Sequence, residues 1–131
     1  MKVLVVDDDQ AIAKVLQELI DSGARTVKTA KSGIDGYWTC LQFGPDIVIT
    51  DIQMPGQTGF EMMNQIREHN PEVKTIYMSG SVRCFHPILD EERRHHHAMV
   101  LEKPFSLETL SRIIKEAQCS FKSRSLVQKD K

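Results

Sequence analysis

Residues 2–9 read Lys2-Val3-Leu4-Val5-Val6-Asp7-Asp8-Asp9, an apolar run that ends abruptly in three acidic residues. An uninterrupted run of valine and leucine is typical of a strand that is buried on both faces of a parallel sheet. The acids stand at the carboxyl end of this strand, which is the end where ligands bind in open α/β sheets. The run therefore predicts an α/β fold and indicates which edge of its sheet carries the function.

Four more apolar runs of strand length follow along the chain, and amphipathic stretches of helical period separate them. The strand–helix unit is thus repeated five times. Because crossovers between parallel strands are right-handed, this pattern predicts a doubly wound five-stranded parallel sheet with helices on both faces. The predicted strands cover residues 2–6, 26–29, 47–50, 75–78 and 99–101.

The helical stretches carry their own start and stop signals. Asp9 and Ser32 stand where N-caps of the first and second helices are expected. Gly44, followed by a proline, should end the second helix. Apolar residues recur at helical spacing in the second helix (Ile34, Trp38 and Leu41) and as an expected core stripe in the last (Leu107, Leu110, Ile113, Ile114 and Ala117).

Length and composition indicate one compact domain. The chain has 131 residues, of which 40% are hydrophobic and 27% charged, within the usual range for a single buried core. We expect the domain to cover residues 1–119, and residues 120–131 to form a polar, basic tail or the start of a linker. Lys and Arg number 17 and Asp and Glu 18, a net charge of −1 that provides no general attraction to nucleic acid or to anionic membranes.

The cysteines and the apolar segments indicate the compartment. Cys40, Cys84 and Cys119 are odd in number, widely spaced and outside any Cys-x-x-Cys pattern, which argues against a disulfide framework or a zinc site. The first apolar run is too short for a signal peptide, and no later run reaches membrane-spanning length. We therefore expect a soluble cytoplasmic protein.

Polar residues at the ends of four predicted strands should meet at one edge of the sheet. They are Asp7 and Asp8, Asp51, Ser79 and Lys103. Three neighbouring carboxylates repel one another, so their arrangement favours a bound cation. Oxygen ligands without His or Cys are those that Mg²⁺ prefers, often together with a phosphate. The edge therefore predicts a phosphate-handling magnesium site.

A carboxylate at such a site can act as a nucleophile toward phosphorus and form an acyl phosphate. Catalysis of phosphoryl transfer consists mainly of positioning and of neutralising the charge on the phosphoryl oxygens. The Ser79 hydroxyl and the Lys103 ammonium are a hydrogen-bond donor and a point charge of the kind those oxygens require.

The same residues, in the same order, resemble the receiver domains of two-component response regulators of the chemotaxis-regulator type. The resemblance spans roughly residues 2–118. It rests on four motifs that are specific only in combination: the acidic pair Asp7-Asp8, the run Asp51-Ile52-Gln53-Met54-Pro55-Gly56 followed by Gly59, the run Met78-Ser79-Gly80, and Lys103-Pro104-Phe105.

The resemblance implies a (βα)5 flavodoxin-like fold with strand order 2-1-3-4-5. It implies a domain that takes a phosphoryl group from a histidine kinase or phosphotransfer protein onto Asp51 and assists its own phosphorylation and dephosphorylation without being an enzyme. It further implies Mg²⁺ held by Asp8, Asp51 and the backbone carbonyl of Gln53, with Asp7 on a metal-bound water. The Lys103–Pro104 bond is expected to be cis.

The resemblance also implies an output. In this family the face formed by helix 4, strand 5 and helix 5 changes shape for a downstream effector domain or target protein, and homodimers are common. Val100 stands three positions before Lys103, where the family usually has Tyr or Phe. The usual aromatic coupling is therefore absent, and helix 4 with its preceding loop must carry more of the change. Phe85-His86-Pro87 lies where that helix should begin, so we expect its start to be irregular or shifted.

Two other functions are compatible with parts of the pattern. A pseudo-receiver used only for docking would not be phosphorylated, although the intact Asp51, Ser79 and Lys103 count against it. An aspartate-nucleophile phosphatase is suggested by Asp7-x-Asp9 after a strand, which superficially resembles the haloacid dehalogenase motif. The motif of that family has Thr or Val at the position where this chain has Ala11. A phosphatase of that kind would also leave Asp51 without a role.

Overall fold

Five parallel strands form a single sheet in the computed structural model, which describes residues 1–129 and the side chains of residues 1–119. The strands are β1 (Lys2–Val6), β2 (Thr26–Ala30), β3 (Ile47–Asp51), β4 (Lys74–Ser79) and β5 (Met99–Glu102). Their order is β2-β1-β3-β4-β5, which confirms the predicted flavodoxin-like topology. Each observed strand lies within one residue of its predicted bounds at either end.

Five helices connect and cover the strands. They are α1 (Gln10–Ile20), α2 (Gly33–Phe43), α3 (Gly59–His69), α4 (His86–His96) and α5 (Leu107–Lys129). A single 3-10 turn, Val82–Phe85, leads into α4, in agreement with the expected irregular start of that helix. The predicted tail, residues 120–131, lies beyond the described side chains, and its last two residues lie outside the described chain. The boundary of the domain near residue 119 stays a prediction.

The sheet separates two hydrophobic cores, as a doubly wound fold requires. One core packs α1 and α5 against one face of the sheet, with Leu16 and Ile114 among its buried residues. The other packs α2, α3 and α4 against the opposite face, with Ile66, Tyr77 and Leu89 among its buried residues. Because the central strands are covered on both sides, their polar groups reach solvent only at the strand ends.

The predicted helix signals are found at the helix ends. The Asp9 carboxylate accepts hydrogen bonds from the N–H groups of Ala11 and Ile12, and the Ser32 hydroxyl accepts one from Asp35. Gly44 ends α2 in the left-handed conformation, at φ 64°. Such caps satisfy backbone groups that a helix leaves unpaired at its termini.

Helical spacing alone was a poor guide to which face of a helix is buried. Ile34 and Trp38 of α2 are 69% and 58% exposed, and Leu107, which was assigned to the core stripe of α5, is 57% exposed. The buried residues of α2 are Gly33, Gly36, Cys40 and Phe43, and a Cβ at Gly36 would lie 3.0 Å from the Val6 side chain. Gly36 thus lets α2 approach the sheet closely, and Ile34 and Trp38 lie on the outer side of the helix.

Among the described residues, no helix combines the length and the apolar character that crossing a lipid bilayer requires.

Candidate functional site: an acidic cluster with one lysine

The ends of the central strands bring the predicted acids together. In the β1–β3 pair Val6 lies opposite Thr50, so the next residues, Asp7 and Asp51, leave the sheet side by side. Asp7, Asp8 and Asp51 each offer a carboxylate oxygen within 4.8 Å of the others. Asp7 is fully buried, Asp51 is partly buried and Asp8 is exposed. The cluster is therefore closed on its sheet side and open to solvent on the other.

Lys103 supplies the positive charge of the site. The loop after β5 begins with a hydrogen bond from the Lys103 N–H to the Ser79 carbonyl (2.9 Å), and the Lys103–Pro104 bond is cis, as expected. The ammonium lies 3.4 Å from Asp7 Oδ2 and 3.5 Å from Asp51 Oδ2. This ammonium pairs with two of the three carboxylates, which leaves the site with a net negative charge that suits a divalent cation.

Electrostatics set the state of Asp51. Burial is the largest influence and raises the pKa of this carboxyl above its ordinary value, while the nearby Lys103 ammonium lowers it and the Asp7 and Asp8 carboxylates raise it further. The net direction is upward. A group whose folded-state pKa is raised favours folding when protonated, and this contribution is lost as the pH rises through the raised pKa.

Asp51→Asn is accordingly expected to make the metal-free protein more stable at neutral pH. The amide keeps the shape of the side chain and removes a desolvated charge from a site of like charges. Urea unfolding in the presence of a chelator would give a higher midpoint for the variant, and the difference should shrink as the pH falls below the pKa of Asp51. A lower midpoint at neutral pH would contradict this electrostatic description of the cluster.

Ser79 lies at the end of β4, beside the cluster. It is 2% exposed, and its Oγ accepts a hydrogen bond of 2.9 Å from the Ser81 N–H. In this contact the Ser79 oxygen is the acceptor, so the hydroxyl can still donate its own proton to another group. Gln53, two residues after Asp51, lies in the exposed loop before α3, so its backbone carbonyl belongs to the same edge of the sheet.

A glycine allows the chain to pass close behind the end of β3. A Cβ at Gly59 would lie 2.5 Å from the backbone oxygen of Asp51, well inside van der Waals contact. The Gly59 N–H also donates to the Ile52 carbonyl at 2.8 Å. The first turn of α3 is therefore packed against the backbone of Asp51, and only glycine fits there without moving it.

Asp9 does not belong to the acidic cluster. Its carboxylate is used as the N-cap of α1, and its own N–H donates to Asp7 Oδ1 at 2.9 Å. The haloacid dehalogenase alternative depended on a catalytic role for this second acid, and the capping role removes its basis.

Comparison with known proteins agrees with this geometry. The sequence profile of the family described as "Response regulator receiver domain" matches residues 3–115, most of the chain. The chain belongs to the response regulator receiver family. Within that family it is a signalling domain rather than a conventional enzyme.

Relatives of this receiver domain are parts of larger proteins or stand alone. The chain is 30% identical to the DNA-binding transcriptional regulator NtrC of Bradyrhizobium sp. (strain RP501 Parasponia), over 93% of this chain and 25% of that protein. It is 31% identical to the sensor kinase CckA of Brucella abortus (strain 2308), over 87% of this chain and 12% of that protein. The receiver domain thus spans a quarter or less of the length of these two relatives.

A solved structure of similar size confirms the fold. The chemotaxis protein CheY4 of Vibrio cholerae superimposes with a TM-score of 0.77 at 26% identity, covering 88% of this chain and 97% of that one. The receiver domain therefore resembles both free-standing regulators and domains of longer ones.

Sequence reasoning did not anticipate a buried polar group between α3, β4 and α4. Arg67 and Glu92 form an ion pair of 2.8 Å, and the Tyr77 hydroxyl donates to the same carboxylate. A signal was present in the sequence, because a tyrosine within an otherwise buried strand needs a hydrogen-bond partner. The identity of that partner depends on how α4 packs, which periodicity does not specify.

Proposed function

We propose that this receiver domain accepts a phosphoryl group on the carboxylate of Asp51 in a Mg²⁺-dependent reaction. One observation carries the proposal: the Asp51 carboxylate is partly exposed, lies 3.5 Å from the Lys103 ammonium, and shares its site with two further acids. This set offers a nucleophile, a cation for the phosphoryl oxygens and an oxygen-rich metal site.

The reaction we propose is a simple displacement at phosphorus. An oxygen of Asp51 attacks the phosphorus of a phosphohistidine on a histidine kinase or a phosphotransfer protein. The new bond is the acyl phosphate P–O bond, the P–N bond breaks, and the imidazole leaves with the electron pair and takes up a proton. Lys103 then bridges to a phosphoryl oxygen, and the Ser79 hydroxyl donates a hydrogen bond to another.

The acidic cluster fits the metal that this chemistry needs. Three carboxylates within 4.8 Å of one another are hard oxygen donors, which suit Mg²⁺ and not a softer metal. Asp8, Asp51 and the Gln53 carbonyl would hold the ion, and Asp7 would hold a water bound to it. The ion supplies charge neutralisation for the transferring phosphoryl group.

The output we propose is a change in the face formed by α4, β5 and α5. That face would bind an effector domain of a longer regulator, a separate target protein or a second copy of this chain. The sequence similarity to a transcriptional regulator and to a sensor kinase supports a role in two-component signalling. In both relatives the matching region is one part of a longer protein.

Acetyl phosphate tests the proposal directly. Incubation with this small phosphodonor and Mg²⁺ is expected to add the mass of one phosphoryl group to the intact protein, and a chelator should prevent the addition because the acidic cluster then lacks its counter-charge. Intact mass spectrometry reports the adduct. Failure of a folded sample to gain mass in Mg²⁺ would favour the alternative role, a docking module that is not phosphorylated.

A further inference from the structure

Helix α4 is held to the rest of the receiver domain by very few buried side chains. Of its eleven residues, Leu89 and Glu92 are buried, and the other nine are exposed or partly exposed. The helix also has no side-chain cap at its N-terminus. Its position therefore depends on one apolar contact and one buried carboxylate.

The buried carboxylate of Glu92 has partners on two other elements. The Arg67 guanidinium of α3 lies 2.8 Å from Glu92 Oε1, and the Tyr77 hydroxyl of β4 donates to the same oxygen. Arg67 also donates to Thr75 Oγ1 at 3.2 Å. We call Arg67, Tyr77 and Glu92 the α4 clasp. The clasp ties α4 to α3 and β4 through charge-assisted hydrogen bonds in a buried setting, where they are strongest.

One member of the clasp, Tyr77, lies on β4, the strand that ends at Ser79 in the functional site. Tyr77 precedes Ser79 by two residues on β4, so the two side chains point to the same face of the sheet. In the β4–β5 pair Tyr77 lies opposite Val100, the position where an aromatic residue is usual in receivers. The Tyr77 ring packs against Phe60, with centroids 4.8 Å apart, and Phe60 contacts Phe85 just before α4. Here the aromatic side chain is on β4 instead of β5.

A second connection runs along the chain from Ser79 to α4. The Ser79 hydroxyl accepts the Ser81 N–H, and the Ser81 carbonyl accepts the Cys84 N–H of the 3-10 turn that leads into α4. If the Ser79 side chain moves toward a phosphoryl group on Asp51 in order to donate to it, the Ser79 oxygen moves away from the Ser81 N–H. The 3-10 turn then loses a support directly before α4, and this weakens the arrangement of α4 in which the clasp is formed.

We propose that Tyr77 and Glu92 are positioning residues that hold α4 in its unphosphorylated arrangement, and that phosphorylation reaches α4 by opening this clasp. The inference rests on the proposed phosphorylation of Asp51. It assigns the β4 tyrosine and its buried carboxylate a coupling role in a receiver that lacks the β5 aromatic.

The hydroxyl of Tyr77 is suited to such a role. Burial is the largest influence on its pKa, which is raised, so the group stays a neutral donor at physiological pH. Its hydrogen bond to the Glu92 carboxylate is made only while the clasp is closed, which is the unphosphorylated arrangement of our proposal. Removal of a bond made in only one of two states shifts the equilibrium toward the other state. A ligand that favours the arrangement without the clasp must then bind more tightly, because less free energy is needed to open the clasp.

The test compares Tyr77→Phe with Tyr37→Phe in the full chain. Beryllofluoride with Mg²⁺ stands in for the phosphoryl group, and isothermal titration calorimetry measures its affinity. Tyr77→Phe keeps the ring and removes the hydroxyl, so we expect about ten- to hundredfold tighter binding, the size of one hydrogen bond to a charged group. Tyr37→Phe removes a hydroxyl that bonds His69 Nε2 at 2.8 Å, between α2 and α3, and should leave the affinity unchanged.

A second pair of variants tests the acidic side of the clasp. Glu92→Gln weakens both the ion pair and the acceptor, whereas Glu91→Gln changes an exposed neighbour on the same helix. Amide hydrogen exchange over residues 86–96, with and without beryllofluoride, should show that Glu92→Gln exchanges as fast without the ligand as the parent does with it. Glu91→Gln should behave as the parent does.

The outcomes separate the two proposals. Equal or weaker beryllofluoride binding by Tyr77→Phe, when the parent binds, overturns the coupling role and leaves phosphorylation of Asp51 intact. Failure of the parent protein itself to bind beryllofluoride overturns the phosphoryl-acceptor function and the coupling inference with it. Tighter binding by both Tyr77→Phe and Tyr37→Phe also overturns the inference, because the effect would then not depend on the clasp.

Discussion

Asp51→Asn is expected to abolish the Mg²⁺-dependent phosphoryl adduct completely. An amide oxygen is a poor nucleophile toward phosphorus, and the variant also loses one of the three acids that hold the metal. Intact mass after incubation with acetyl phosphate measures the effect. The loss should be total rather than partial, because no other group in the site combines access to solvent with the Lys103 counter-charge.

The structure explains why Asp51 is the expected acceptor among the three acids. Asp7 is fully buried, and its Oδ1 already accepts the Asp9 N–H. Asp8 is exposed, but among the described residues the Lys103 ammonium pairs with Asp7 and Asp51. Asp51 alone is both partly exposed and paired with the cation that would stabilise a transferred phosphoryl group.

A matched control distinguishes loss of the nucleophile from loss of a nearby acid. Asp9→Asn removes a charge directly next to the cluster in sequence and preserves the N-cap of α1, because Asn and Asp cap helices about equally well. This variant should still gain one phosphoryl group. An adduct that persists in Asp51→Asn would identify a different aspartate as the acceptor.

Arg67→Met is expected to cause the largest loss of stability among single substitutions in the clasp. The methionine replaces the guanidinium with an apolar chain and leaves the Glu92 carboxylate buried without its counter-charge. Removal of one partner of a buried ion pair typically costs about 3–5 kcal/mol. The side chains of Arg67 and Glu92 are only 8% and 11% exposed, so solvent offers little compensation. Urea unfolding measures the change.

The control for this substitution is Arg93→Met on the outer side of α4. The Arg93 side chain is 49% exposed and lies 3.8 Å from Asp90, and an exposed ion pair of this kind typically contributes about 0.2–1 kcal/mol. A double variant, Arg67→Met with Glu92→Met, should recover part of the loss because no unpaired charge is then buried. Equal stabilities for Arg67→Met and Arg93→Met would contradict a buried ion pair at this place.

Local sequence was enough to predict the sheet and the acidic edge of the site. The strands β1 and β3 are rich in valine, leucine and isoleucine, as expected of strands that are buried on both faces of a parallel sheet, and polar residues stand at their carboxyl ends. Because all parallel strands end at the same edge, Asp7, Asp51 and Lys103 had to converge whatever the details of the helices. The caps at Asp9 and Ser32 were equally local and were found as predicted.

The sequence was less informative about which face of each helix packs against the sheet. The spacing of Ile34 and Trp38 indicated a helix correctly but not the side that packs, because a helix with Gly36 can approach the sheet more closely on its small-residue face. Leu107 shows the same limit at the start of α5. The spacing of apolar residues indicates that a helix has an apolar side. The space left by neighbouring elements decides which side is buried.

By itself, the sequence determined the order of strands and helices, the family, and the set of acids and one lysine that meet at the sheet edge. Those features follow from residues that are close along the chain or that the parallel topology forces together. The tertiary structure alone decided the partners of Arg67, Tyr77 and Glu92, which come from three elements spread over 25 positions. Pairing over such distances depends on how α3 and α4 pack against β4, and no local pattern encodes that packing.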